Sequence, residues 1–274
     1  MSSACLSLSA ILALLVLHAT PAVARELRVC ADPNNLPFSN DRLEGFENKI
    51  VDLIAKELRA DVSYTWWAQR RGFIRNTLRA KACDLTAGTV AELSMLASTK
   101  PYYRSTYVFV TRPDLPEITS FDDPALRSLK IGIHLIGDDG FNVPPAHALA
   151  RRGIIQNVRG YSLYGDYREQ NPPARLIEAV ASRDIDVAIA WGPLGGYFAG
   201  LQSPSLRVTP VHPAADGPLP MAFAISMGVR RDDVSLKADI EEVLTRRRAD
   251  VDAILDAFHV PRAQGVQSIA GPVQ

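Results

Sequence analysis

Apolar and polar positions change period several times along the chain, and each change predicts an element. Glu26 to Ala31 (ELRVCA) is a short apolar strand running into a turn-rich stretch, Asp32 to Phe38 (DPNNLPF). From about Gly45 to Leu58 the apolar residues Phe46, Ile50, Leu53, Ile54 and Leu58 recur at helical spacing. VSYTWW then alternates as a strand with Val62, Tyr64 and Trp66 on one face. A helix over Gly72–Arg79 turns Phe73, Ile74, Thr77 and Leu78 inward, and Cys83–Gly88 (CDLTAG) is the next strand. The order β-α-β-α-β with short connections predicts a parallel sheet with helices on both faces.

Thr106–Val110 (TYVFV) is a further strand, and the proline-rich Arg112–Pro116 after it is a linker. A second unit begins near residue 118. SLKIGIHLIG predicts a strand, Pro145–Arg152 and Pro173–Ser182 predict helices, and IDVAIAW predicts a strand. A second proline-rich crossing runs from Pro204 to Pro220, MAFAISMGV is a strand, and one charged amphipathic helix spans about Ser235 to Phe258. Two crossings mean that the chain leaves its first domain and returns to it. The expected division is residues 25–111 plus 212–262 for one α/β domain and 112–211 for the other, with a flexible tail over 263–274. Open α/β sheets bind ligands beyond the carboxyl ends of their strands, so two such domains face each other across a cleft.

The first 24 residues change the compartment. They carry no charged side chain, hold an apolar run from Leu6 to Leu17 that is too short to span a bilayer, and end in Ala22-Val23-Ala24. This is a signal peptide with cleavage expected after Ala24, so the mature chain is expected to be exported and soluble, without a membrane span. Thirty basic residues balance thirty acidic ones among 274, so the basic excess of a nucleic-acid binder is missing. Export leaves Cys30 and Cys83, and two readings stand for them: a disulfide, the default in an oxidising compartment, or two buried thiols. No Cys/His spacing suits zinc, and no catalytic triad, phosphate loop or cofactor motif is visible.

The phrases LRVCADPNNLPFSN, GFENKIVDLIAKEL, LRAKACDLTAG, STKPYYRSTYVFV, LKIGIHLIG, VASRDIDVAIAW and MAFAISMGVR follow one another as in the type II periplasmic solute-binding proteins, over roughly residues 26–260. That resemblance implies the two-domain fold, each domain a mainly parallel sheet flanked by helices. YTWWAQRRGFIRNTL, GDYREQNPPARLIEAVA and DVAIAWGPLGGYFA narrow it to the accessory "J" proteins encoded beside quinoprotein methanol and alcohol dehydrogenases. The resemblance implies an accessory role in such a PQQ-dependent system, with the dehydrogenase or its cytochrome c as partner. The alternative is the substrate-binding protein of an ABC transporter for a small, non-standard solute. An enzyme ranks last, with His134 as its candidate acid and a polar packing role as the competing reading.

An amino-acid receptor of this kind clamps the α-carboxylate with an arginine and meets the ammonium with an acid. The segment GTVAELSMLAS, where the resemblance would put the arginine, has none, and Trp191 stands where the acid would be; a clamp from elsewhere, at Arg71, Arg104 or Arg168, is the alternative. Around the predicted cleft lie Asp32, Asn34, Asn35, Phe38, Gly88, Thr89, Tyr102, Tyr103, Arg104, His134, Tyr167 and Trp191. Trp191 shares the phase of Ile185, Val187 and Ile189, so a core role competes with a binding one. Trp67, Gln69, Arg70 and Arg71 join a strand's end to a helix's start, which predicts the cleft rim. Either they recognise a partner or ligand, or the tryptophan packs and the arginines pair internally.

Overall fold

A computed structural model describes residues 25–135, 143–162 and 169–263. The segment expected to be a signal peptide and the tail from residue 264 therefore lie outside the described residues, as do Tyr167 and Arg168. The chain runs through β1 (Arg25–Ala31), the two-residue strands β2 (Asn34–Asn35) and β3 (Ser39–Asn40), α1 (Phe46–Leu58), β4 (Ala60–Trp66), α2 (Phe73–Asn76), β5 (Leu85–Val90), β6 (Ala97–Ser98) and β7 (Tyr103–Thr111). It continues with β8 (Ile131–Leu135), α3 (Pro144–Arg151), β9 (Val158–Ser162), α4 (Arg175–Ala181), β10 (Val187–Trp191), α5 (Gly192–Gly200) and β11 (Arg207–Pro210). Last come β12 (Ala215–Asp216), β13 (Leu219–Pro220), β14 (Ala222–Val229), α6 (Val234–Arg246) and α7 (Arg248–Ala257).

β1 pairs in parallel with both β4 and β5, and β8 pairs in parallel with both β10 and β9. These are the two parallel units expected from the sequence. β7 joins them. Its first half, Tyr103–Thr106, lies antiparallel to β14, and its second half, Tyr107–Thr111, lies antiparallel to β10. One strand thus passes from the first lobe into the second and changes neighbours between Thr106 and Tyr107. The first lobe's core gathers Leu27, Val29, Phe46, Ile50, Leu85, Met227, Ile240 and Leu255, and the second lobe's cores cover both faces of β10. Among the described residues no helix is long and apolar enough to cross a membrane.

Three expectations need correction. The helix predicted over Gly72–Arg79 stops at Asn76. Its apolar positions are buried as expected, but the Thr77 hydroxyl donates to the Phe73 carbonyl (2.6 Å) and competes with the helical ladder. The long carboxyl-terminal helix breaks at Arg247, whose backbone (φ −101°, ψ 26°) ends α6 and starts α7, so that both helices pack on α1. The stretch after Trp191 is a helix, α5, where no element was expected. Its sequence, GPLGGYFAG, is poor in helix formers. Tertiary contact overrides propensity here, since a side chain at Gly196 would collide with the His259 carbonyl.

The Asp32–Phe38 loop does more than connect. Leu36 leaves the first lobe and is buried in the second lobe's cluster with Val108, Leu176 and Ile177. Beside it the Asn34 amide donates to the Glu169 carbonyl (2.8 Å) and accepts from the Asn171 backbone N–H (3.3 Å). The loop therefore latches one lobe to the other. Leu36→Ala should cost about 3 kcal/mol of stability in urea unfolding, the usual scale for a buried leucine truncated to alanine. A loss below about 0.5 kcal/mol, the range of surface substitutions, would show that the latch carries no weight.

Candidate functional site: a cleft between the lobes

A cavity of about 540 Å³ opens between the lobes at the carboxyl ends of β1, β5, β8 and β10. The first lobe contributes Asn35, Phe38, Glu47, Gln69, Arg70, Gly88 and Thr89, and the second contributes His134, Val143, Pro144, Trp191 and Leu194. Tyr103 and Tyr107 of β7 and Phe223 of β14 line the space where the lobes meet. Tyr103 and Tyr107 share one face of β7 because side chains alternate along a strand.

A hydrogen-bonded frame sets the first-lobe wall. The Asp32 carboxylate accepts the backbone N–H of Asn34 (2.9 Å) and of Gln69 (2.7 Å), which ties the end of β1 to the segment after β4. Gln69 donates its amide to the Gly88 carbonyl (3.2 Å) and accepts from the Asn35 amide (3.2 Å). Asp32 is buried and does not line the cavity, so it shapes the site from behind. Gln69 and Asn35 hold each other at the surface a ligand would meet.

The other sequence-predicted residues divide in the same way. Phe38, Arg70, Gly88, Thr89, His134 and Trp191 reach the cavity. Asn34 serves the latch. Tyr102 is buried, with its hydroxyl donating to the Ala87 carbonyl (3.1 Å), and Arg104 lies on the face of β7 opposite Tyr103. Trp67 and Arg71 stand on the exposed rim outside the cavity, Trp67 at 45% exposure. The neighbouring Trp66 has a different job: its ring stacks on Tyr64 with centroids 4.6 Å apart.

Trp191 is both core and wall. Its ring meets Tyr107 (5.5 Å) and Phe223 (5.8 Å) edge to face and still lines the cavity. His134 is buried, and its Nε2–H donates to the Pro173 carbonyl (3.3 Å). Burial pushes the imidazole down to about 4, against the pull of that hydrogen bond, so it is neutral at pH 7. It offers the cavity a dipole and no charge.

Glu47, Tyr107, Phe223, Phe73 and Leu194 were not read as site residues from the sequence. Glu47 is the chemically important omission. It follows Phe46 at the start of α1 and is buried at 7% exposure. Its carboxyl occupies the space that a side chain at Gly88 would need. Burial raises it from its ordinary 4.5 to about 8, with no charged neighbour offsetting the loss of water. Gly88 in CDLTAG was the visible signal, since a glycine within a strand marks a close approach.

Relatives share this architecture. Protein MoxJ of Methylorubrum extorquens is 33% identical over 252 residues, covering 87% of this chain and 82% of that protein. Protein MoxJ of Paracoccus denitrificans is 30% identical over 264 residues, covering 89% and 92%. The crystal structure of the periplasmic binding protein XoxJ from Methylobacterium extorquens superposes with a TM-score of 0.72 at 36% identity, covering 87% of this chain and 100% of that one. The model of the bacterial extracellular solute-binding proteins, family 3, matches residues 27–259, and the chain belongs to that family, with its two-domain periplasmic-binding fold.

Proposed function

We propose that the protein is an exported, non-enzymatic accessory component of a quinoprotein methanol or alcohol dehydrogenase system, with the interlobe cleft and its rim as the recognition site. The observation that carries the reading is the cleft's character. Its wall is aromatic and apolar, and Arg70 at its exposed mouth is the one cationic side chain among the described lining residues. An α-amino acid would find no buried arginine fork there, which argues against an ordinary amino-acid receptor. The likeness to proteins named MoxJ and XoxJ, over more than four-fifths of each, supports the same system. Cleavage after Ala24 and a periplasmic address belong to this reading.

Trp67, Arg70 and Arg71 form the rim's recognition surface. Tryptophan and arginine dominate binding hot spots, and Arg70 makes no ion pair among the described residues. The test is capture of the purified quinoprotein dehydrogenase or its cytochrome c by wild type and by Trp67→Ala/Arg70→Ala. The double variant should unfold within about 0.5 kcal/mol of wild type and lose capture. Capture retained by a variant that melts much lower would mark these residues as structural and overturn the assignment.

A further inference from the structure

Among the described residues, one carboxyl group in the cleft has no partner. Among the described residues nothing donates a hydrogen bond or an ion pair to the Glu47 side chain, although it is nine-tenths buried and lines the cavity. A buried acid in this state is costly, so its retention needs an explanation. The missing side chain at Gly88 is what gives the carboxyl its seat. The rings of Phe38, Tyr103, Tyr107, Trp191 and Phe223 line the same cavity.

Aromatic faces carry negative quadrupoles and attract cations, most of all where water is excluded. A carboxyl among aromatic rings is a receptor for positive charge borne on an apolar body. A metal ion needs several hard ligands together, and the described residues contain no group of three acidic, histidine or cysteine side chains placed to hold one. An anion would face both the carboxyl and the ring faces. We propose that the cleft binds a small organic cation, an alkylammonium or quaternary ammonium compound, with its charge against Glu47 and its alkyl groups among the rings. This deepens the reading of the cleft as the recognition site and rests on it.

The proposal carries a proton signature. With the empty-site carboxyl at about 8, a bound cation must expel a proton at neutral pH. The groups facing Glu47 do not blur this. Tyr64 of β4 and Tyr102 and Tyr103 of β7 are phenols held above their ordinary range, chiefly by burial, and stay neutral. β5 meets the carboxyl at Gly88, which carries no titratable group. No group of α6 or α7 shifts Glu47, and among the described residues the cleft is also lined by His134, which is neutral, by the phenol of Tyr107 and by the guanidinium of Arg70.

The experiment is isothermal titration of mature protein with choline and with 3,3-dimethyl-1-butanol, its uncharged carbon isostere. Each is run at pH values below and above 8, in two buffers of different ionisation enthalpy. Choline should bind at least about tenfold more tightly than the alcohol, and its affinity should rise by up to about tenfold per pH unit below 8. Buffer-dependent heats should report proton release approaching one per ligand. Glu47→Gln should lose the preference for choline and the pH dependence while keeping its fold by circular dichroism. Equal affinity for both compounds, no choline binding, or choline binding without proton release in wild type would overturn the proposal. Dehydrogenase capture by the rim is measured separately, so choline binding without capture refutes the accessory role alone, and capture without choline binding refutes the cation site alone.

Discussion

Glu47→Gln should leave the protein's stability little changed near pH 5 and make it more stable than wild type by several kcal/mol above pH 8. Glutamine keeps the shape of glutamate and removes the titration. In wild type the folded carboxyl titrates near 8, while in the unfolded chain it titrates near its ordinary 4.5. Between those values the folded state holds a proton that the unfolded state has released. Stability therefore falls as pH rises through this window, by up to about 1.4 kcal/mol per pH unit, and levels off above it. The glutamine amide carries its own desolvation cost, but that cost does not vary with pH. The measurement is urea unfolding of both proteins from pH 5 to 9. Stability curves that run parallel across the range would show that Glu47 is not buried unpaired, and the cation site would lose its foundation.

The same residue shows where sequence reading stopped. The apolar period of α1 predicted the helix to within a residue of Phe46–Leu58, because one face packs on a sheet and the other meets water. That logic assigns a polar residue beside Phe46 to solvent. It fails for Glu47 because the opposing strand supplies a glycine, and a helix pattern holds no information about what faces it. The β-α-β order and the two crossings gave the two-lobed architecture. They could not give α5, whose glycines look like a loop until His259, more than fifty residues on, is seen packed against them. Trp191 was left between core and site, and the structure shows why both readings were open: its ring packs on Tyr107 and Phe223 at the surface where the lobes part. The rim was legible from YTWWAQRRGF because strand ends and helix starts have known places in such sheets. The division between Trp66, stacked on Tyr64, and exposed Trp67 follows from alternation once the strand's end is fixed.

Oxidised and reduced protein should differ in stability by about 4 kcal/mol, through a bond between Cys30 and Cys83. Cys30 lies near the end of β1, and Cys83 lies two residues before β5, the parallel neighbour of β1. Their Cα atoms are 5.6 Å apart, within the separation a disulfide spans, and the structure pairs them. Both are buried among Phe73, Ile74, Leu78 and Leu96. The bond would close a loop of sequence separation 53, which holds α1, β4 and α2. Chain-entropy arguments give about 4 kcal/mol for restricting the unfolded state by a loop of that length. The loop also carries Trp67, Arg70 and Arg71, so the bond steadies the rim as well as the fold. Exported protein, denatured and treated with a thiol reagent, should show no free cysteine once residues 1–24 are removed. Reduction should lower the urea midpoint and weaken dehydrogenase capture together, and Cys30→Ala/Cys83→Ala should reproduce the lower midpoint without reductant. Free thiols in exported protein, or identical midpoints before and after reduction, would leave the cysteines as two buried apolar groups and return the stability of this region to its packing alone.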